Sequence, residues 1–248
     1  MISYQLYSSR NFPPMSGTLA MLADAGFTAV EGYGALYSDA GKLAEMAAAL
    51  EAAGLDMPTG HFALEMIETQ PDFVIAAAQT LGMETVYCPY LLPGDRPVDG
   101  AGWRAFGARL QAAGEPLRKA GLGFGWHNHD FEFVTTPDGV IPQEAIFEGG
   151  PDLEWEMDVA WVVRGGANPA NWIARHGGRI TTAHVKDIAL AGTVAEDGWA
   201  DVGHGTVDWA ALMVALRAVG CDRFVLEHDN PSDHVRFATR SLAAVKGY

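Results

Sequence analysis

The chain of 248 residues carries 16 lysines and arginines against 31 aspartates and glutamates, a net charge of −15, and 49 % of its residues are apolar. That balance describes a folded globular protein and excludes a disordered chain. It also argues against nucleic acid and membrane surfaces as partners, because phosphate binding needs a basic face and no run of Lys and Arg occurs.

Strand-like runs then follow one another along the chain. They are ISYQLYS from Ile2, FTAVEGY from Phe27, DMPTGHF from Asp56, ETVYCPY from Glu84, LGFGWHN from Leu122, LEWEMDV from Leu153, ITTAHVK from Ile180 and FVLEHD from Phe224. Between them lie stretches with helical spacing, such as Leu43, Met46, Ala47 and Leu50, or Trp103, Phe106 and Leu110. Several of these stretches end on glycine, as in LADAGF, LEAAGL, TLGM, LRKAGLGF and LRAVGCDRF, where a left-handed residue stops the helix.

Eight such units in 248 residues leave 31 residues each, about what a right-handed βα crossover needs. Regular alternation predicts an α/β protein with a parallel sheet. Eight units with nothing left over predict a single (β/α)₈ barrel domain spanning residues 1–248. SSRNFPP after the first strand lacks the G-x-G-x-x-G fingerprint, so a dinucleotide fold is not expected. Cys88 and Cys221 have no metal-type spacing, and Cys88 reads as a small buried hydrophobe. MISYQLYSSRNF is not a signal peptide, and no apolar run approaches the ~18 residues of a spanning helix. A cytoplasmic protein is expected. No apolar stripe marks an interface, which leaves the oligomeric state open.

Barrel chemistry gathers at the C-terminal ends of the strands. The polar residues there are Glu31, His61, His127 with His129, Asp158, His184 with Lys186, and Glu227 with His228. Asp158, His184 and Glu227 end three successive strands, and neighbouring strands lie ~4.8 Å apart, so these side chains can converge on one ion. Two carboxylates and an imidazole suit Mn²⁺, Co²⁺, Mg²⁺ or Zn²⁺. Singly, a histidine there can be a buried hydrogen-bonded residue and Asp158 a helix N-cap. Together they read as a site.

The runs GWHNHDFEF (125–133), EMDVAWVVRGGANP (156–169), AHVKD (183–187), DVGHGTVDW (201–209) and VLEHD (225–229) resemble the sugar phosphate isomerase/epimerase family. That family lies in the xylose isomerase-like barrel superfamily, together with inosose dehydratase, ketose 3-epimerases and endonuclease IV. The resemblance implies one divalent metal held by a Glu, an Asp, a His and a second Glu, and a sugar or polyol substrate bearing a carbonyl. Three of these ligands map to Asp158, His184 and Glu227. At the remaining position, the end of the fifth strand, this chain has His127, with Glu132 in the following loop as the alternative. A strand end is the better-fixed platform, which favours His127.

His129, two residues on and on the same side, corresponds to a general base or acid. Lys186 faces the site to steady an oxyanion. His61 and Glu132 are expected at the substrate. Trp161 would form an apolar wall where epimerases often carry His. His204 lies between Gly203 and Gly205, whose freedom permits a tight turn close to ligand. The expected activity is isomerisation or epimerisation through an enediolate, with Glu227 and His129 moving protons. The alternatives are elimination by a dehydratase-like lyase and a non-catalytic sugar-binding barrel. A DNA-repair enzyme of the endonuclease IV kind would need a basic groove and three zinc ions.

Overall fold

A computed structural model describes residues 1–248. Eight parallel strands close a barrel. In chain order they are Ile2–Gln5, Ala29–Tyr33, Asp56–His61, Thr85–Cys88, Gly123–His127, Glu154–Asp158, Ile180–Val185 and Phe224–Leu226. Each coincides with one of the eight runs read from the sequence. Closure is direct, since Ser3 of the first strand pairs with Ala29 of the second and with Val225 of the eighth.

Helices follow every strand and form the outer ring, among them Met15–Ala25, Ala40–Ala53, Pro71–Leu81, Gly100–Ala113, Pro142–Gly149, Trp209–Ala218 and His234–Val245. The glycines Gly26, Gly54, Gly82, Gly121 and Gly220 that punctuate these helices all have left-handed φ, between 65° and 93°. Only glycine adopts that conformation without cost, so the chain turns sharply into each next strand.

Period-two alternation divides the strand side chains between two very different environments. One set faces the helices: Trp126 packs edge-on against Phe106, and Trp155 against Phe147. Val30, Val86, Phe124, Met157 and Val185 are buried with them. The other set fills the barrel and is polar: Gln5, Glu31, Thr59, Tyr87, Glu156, Thr182 and His184 are all buried. These residues bond to one another across the lumen. Tyr87 Oη meets Thr182 Oγ1 at 2.9 Å, and Gln5 Nε2 donates to Glu31 Oε1 at 2.7 Å. Thr59 also donates to Glu31. Burying this many polar groups is tolerable only because they are paired.

Cys88 and Cys221 are buried free thiols. No helix is long and apolar enough to cross a membrane. One element has no counterpart in the sequence reading, an antiparallel ribbon of Asp187–Ile188 with Trp199–Ala200 over the seventh strand's end. Two-residue strands are too short to show any periodicity.

Candidate active site at the C-terminal barrel mouth

Register sets the level of the site. Asp158 pairs with His184 on the neighbouring strand, and His127 pairs with Glu156. Glu227 follows the eighth strand by one residue, and His61 ends the third. The ligand atoms of His127, Asp158, His184 and Glu227 all lie within 4.8 Å of one another, and those four residues are buried. His61, His127, Glu156 and His184 form a second, deeper group on the same criterion.

Asp158 serves two purposes. Its Oδ1 accepts the Trp161 amide at 3.0 Å and caps the helix Val159–Arg164. Its Oδ2 is buried, has no hydrogen-bond partner and lies 3.2 Å from Lys186 Nζ. Asn128 holds the strand end in place, accepting the Asp158 amide at 3.0 Å and donating to its carbonyl at 3.1 Å. Burial raises the Asp158 carboxyl above its ordinary value, against the pull of Lys186 and His184.

His184 is flanked on both nitrogens. Nδ1 is 2.9 Å from Glu227 Oε2 and Nε2 is 2.7 Å from Glu31 Oε1. Burial lowers its proton affinity, but Glu156, Glu31 and Glu227 outweigh that and hold it well above the ordinary value. His127 goes the other way, because burial and the neighbouring cationic rings depress it. A neutral His127 that donates from Nδ1 to Glu156 Oε2, 3.0 Å away, presents Nε2 as a lone pair.

Lys186 is buried among three carboxylates, 2.8 Å from Asp229 Oδ1, 3.0 Å from Glu227 Oε2 and 3.2 Å from Asp158 Oδ2. These acids override the cost of burial and keep it protonated. His129 is pushed down to about 3, by burial first and then by Lys186, so its ring is neutral. Its Nδ1 has no partner. Phe131 stacks on it, and Tyr90 and Trp161 pack against it.

The mouth opens into a cleft of about 830 Å³, lined by His61, His127, His129 and Glu227 together with Tyr7, Tyr33, Tyr90, Met66 and Leu92. Two imidazoles and two carboxylates without thiolate suit the ions Mn²⁺, Co²⁺, Mg²⁺ and Zn²⁺. The buried Asp158 Oδ2, which makes no hydrogen bond and faces only the Lys186 ammonium, gives that fit a structural basis.

Two expected residues stand elsewhere. Glu132 is fully buried, with Oε1 accepting the Trp126 indole at 3.0 Å and Oε2 the His129 amide at 2.9 Å. It therefore positions His129 from behind, outside both donor groups, and burial pushes its carboxyl up to about 8. His204 is exposed in a turn whose amides bind Asp187: Gly203 N and Gly205 N lie 2.9 and 3.1 Å from Asp187 Oδ2. A Cβ on Gly205 would meet Asp187 Oδ1 at 2.2 Å. The glycines thus admit a side chain of this protein, not a ligand. Trp161 is half-buried and sits edge-on to Trp199 of the ribbon.

Glu156 was absent from the sequence-derived set, although EWEMD alternation puts it on Asp158's face. Glu31 was a strand-end residue without an assigned role.

No curated protein sequence matches this chain. Among solved structures, a sugar phosphate isomerase/epimerase from Parabacteroides distasonis is 21 % identical with a TM-score of 0.80, covering 99 % of this chain and 93 % of that one. An IolI protein with a bound zinc atom is 15 % identical with a TM-score of 0.75 over 99 % and 95 % of the chains. The 3-keto-D-glucoside 4-epimerase YcjR from E. coli is 19 % identical with a TM-score of 0.72 over 100 % and 99 %. At such identities the likeness shows the fold. The family model of the xylose isomerase-like TIM barrel matches residues 19–245, and the chain belongs to that family.

Proposed function

We propose that this protein is a divalent-metal-dependent isomerase or epimerase of a sugar, keto-sugar or polyol, acting through an enediolate of the substrate. The observation that carries this reading is the convergence of His127, Asp158, His184 and Glu227 donor atoms within 4.8 Å beneath a cleft walled by tyrosines. These four residues would hold the ion, which when bound would polarise a substrate carbonyl and make the adjacent C–H more acidic.

The chain's own groups supply the rest. Tyr7, Tyr33 and Tyr90 offer flat apolar faces and hydroxyls, the usual surface for a sugar ring. The Lys186 ammonium stands beside Asp158 and Glu227, ready to donate to oxygen as negative charge develops there. Neutral His129, whose unpartnered Nδ1 is a weak base, can hydrogen-bond a substrate hydroxyl while Glu227 takes the proton, and Glu132 fixes its backbone from behind. Positioned proton transfer of this kind is worth ~10²–10⁴-fold in rate. Glu227 is the carboxylate for the return step.

A lyase acting on a keto-sugar or keto-inositol is the second reading. It is favoured by the single carboxylate in the cleft, since His127 stands where a second facing acid would make epimerisation symmetrical. A solved relative described as a probable 3-DHS dehydratase from Bacillus anthracis has this fold at 15 % identity and a TM-score of 0.76.

Mass spectrometry of keto-sugars and inososes incubated in D₂O with the Mn²⁺-loaded protein tests both. Deuterium uptake at otherwise constant mass supports the isomerase or epimerase. Loss of one water moves the assignment to the lyase. Saturable binding without exchange on any substrate overturns catalysis and leaves a sugar-binding barrel.

A further inference from the structure

Strand order divides the rim of the mouth into two arcs. The barrel closes in chain order, so the loops after the first four strands form one arc and those after the last four the other. His127, Asp158, His184 and Glu227 all belong to the second arc. Apart from the buried His61, the first arc brings Tyr7, Tyr33, Met66, Pro89, Tyr90 and Leu92 to the same cleft. Leu92, Tyr90 and Tyr7 are 62 %, 41 % and 39 % exposed. Apolar side chains left open together in a concave mouth mark a ligand surface.

The chemistry of that arc restricts the ligand. A sugar ring can stack on a tyrosine face, but its hydroxyls need hydrogen-bond partners once water is excluded. The side chains of Met66, Pro89 and Leu92 offer none, and the Tyr90 hydroxyl already accepts from Arg96 Nη2 at 2.8 Å. No lysine or arginine lines the cleft. The cations beside it are engaged. Arg96 donates to the Leu91 carbonyl at 3.1 Å and lies 3.5 Å from the Phe131 centroid. Arg10 donates to the Tyr7 carbonyl at 3.0 Å and lies 4.0 Å over the Tyr7 ring. Lys42 donates to Ser38 Oγ at 3.1 Å, and Lys186 is held by its three carboxylates. A phosphate ester would bring further negative charge to a protein of net charge −15, with no cation in the cleft to receive it.

We propose that the substrate is an unphosphorylated sugar bearing an aryl group, the sugar at the histidines and Glu227 and the aryl ring on Tyr90, Met66 and Leu92. This rests on the sugar chemistry proposed above for the same mouth. Tyr90 joins the two parts, since its ring stands edge-on to His129 at 4.8 Å between centroids. The apolar surface therefore begins beside the reacting ring, which fits an aryl glycoside better than a sugar with a distant substituent. An aryl group suits this surface better than an alkyl chain. Tyr7 and Tyr33 meet edge-to-face at 5.3 Å, and the Met66 thioether favours aromatic contacts. A cleft of about 830 Å³ also exceeds what one monosaccharide ring fills and lies in the range that encloses drug-sized ligands.

Calorimetric titration of the full-length, Mn²⁺-loaded protein with phenyl β-glucoside, methyl β-glucoside, phenol and glucose 6-phosphate tests this. The phenyl glucoside should bind at least ~10-fold more tightly than each of the others, the worth of burying one ring. The double variant M66S/L92S should cut the phenyl-to-methyl ratio to about threefold or less. Equal binding of the phenyl and methyl glucosides, or tighter binding of glucose 6-phosphate, would overturn the proposal. Phenol binding as well as the phenyl glucoside would overturn it too, since the surface would then recognise any aromatic group. The deuterium-exchange assay reads catalysis separately. Exchange on simple keto-sugars without a phenyl preference would overturn the aryl glycoside and leave the isomerase standing. A phenyl preference without exchange on any substrate would uphold the aryl glycoside as ligand and overturn the isomerase.

Discussion

The two ends of this barrel are built from the same eight strands and are chemically opposite. At the N-terminal end the lumen holds one carboxylate, Glu154, which accepts from Thr181 at 2.8 Å and Thr85 at 3.4 Å. Tyr87 closes the layer on Thr181 and Thr182 at 2.7 and 2.9 Å. A cleft of about 680 Å³ lies there, lined by glycines and by Glu84, Asp222 and Arg223, of which Arg223 pairs with Glu84. At the C-terminal end, Glu31, Glu156, Asp158 and Glu227 crowd against four histidines and one lysine, and Glu156 Oε1 has no partner. At one end hydroxyls and a single Arg223–Glu84 pair satisfy the carboxylates. The other end concentrates charge beyond what its protons can pair, an arrangement that costs stability and is kept where chemistry needs it.

Substitution should separate the ends. H184A is expected to abolish turnover, a loss of ~10⁴-fold or more, because it removes a ligand shared by both donor groups. T181A at the opposite end should stay within about twofold of wild type in the same assay. Equal losses in the two variants would show that the mouth has no special role.

K186M should lower kcat by about 10²–10³-fold, the usual cost of losing one donor to a developing oxyanion, while bound metal remains. It should also destabilise the fold by about 3–5 kcal/mol, since two buried acids, Asp158 and Glu227, and the half-buried Asp229 lose their cation. Denaturant titration checks this, and unchanged stability would contradict the buried ion-pair network.

The pH dependence of stability sharpens the comparison further. Glu132 has a folded pKa of about 8, above its unfolded value, so the native state keeps a proton that the unfolded state releases. Stability is therefore unaffected by Glu132 below about pH 4.5 and falls as pH rises from there to about 8. Replacing it in E132Q should flatten this fall by about 1.4 kcal/mol per pH unit within that window. Parallel pH profiles for the two proteins would mean that Glu132 is ionised in the fold.

The smallest effect is expected at the ribbon. Glu196, half-buried and held down to about 2 by Ser232 and Arg236 despite burial, ties residues 195–198 to the last helix. Its depressed pKa contributes stability above about pH 4.5 that is lost as pH falls towards 2. E196Q should speed hydrogen exchange in residues 195–200 at neutral pH, a local change worth about 1 kcal/mol.

How far the sequence carried depended on length and alternation. All eight strands were legible because short strand-like runs alternate with helical stretches along the whole chain, and glycine marks the helix ends. His127, Asp158, His184 and Glu227 were legible for the same reason, since a strand terminus is a fixed address. Glu156 was missed because it precedes the terminus, and only the two-residue period relates it to Asp158. Glu132 and His204 misled because loops carry no address. One folds inward onto the Trp126 indole, and the other lies on a turn shaped by Asp187. The Asp187–Ile188 ribbon depends on that same buried aspartate, a tertiary contact with no local signature.

The most direct test of the central claim is calorimetric titration of Mn²⁺ into chelator-treated wild type, D158N and T181A. Asp158 Oδ2 is the buried carboxylate oxygen at the mouth that makes no hydrogen bond and faces only Lys186, so D158N should bind at least ~100-fold more weakly while T181A binds as wild type does. Wild-type affinity in D158N would contradict the assignment of the mouth as a metal-dependent active site.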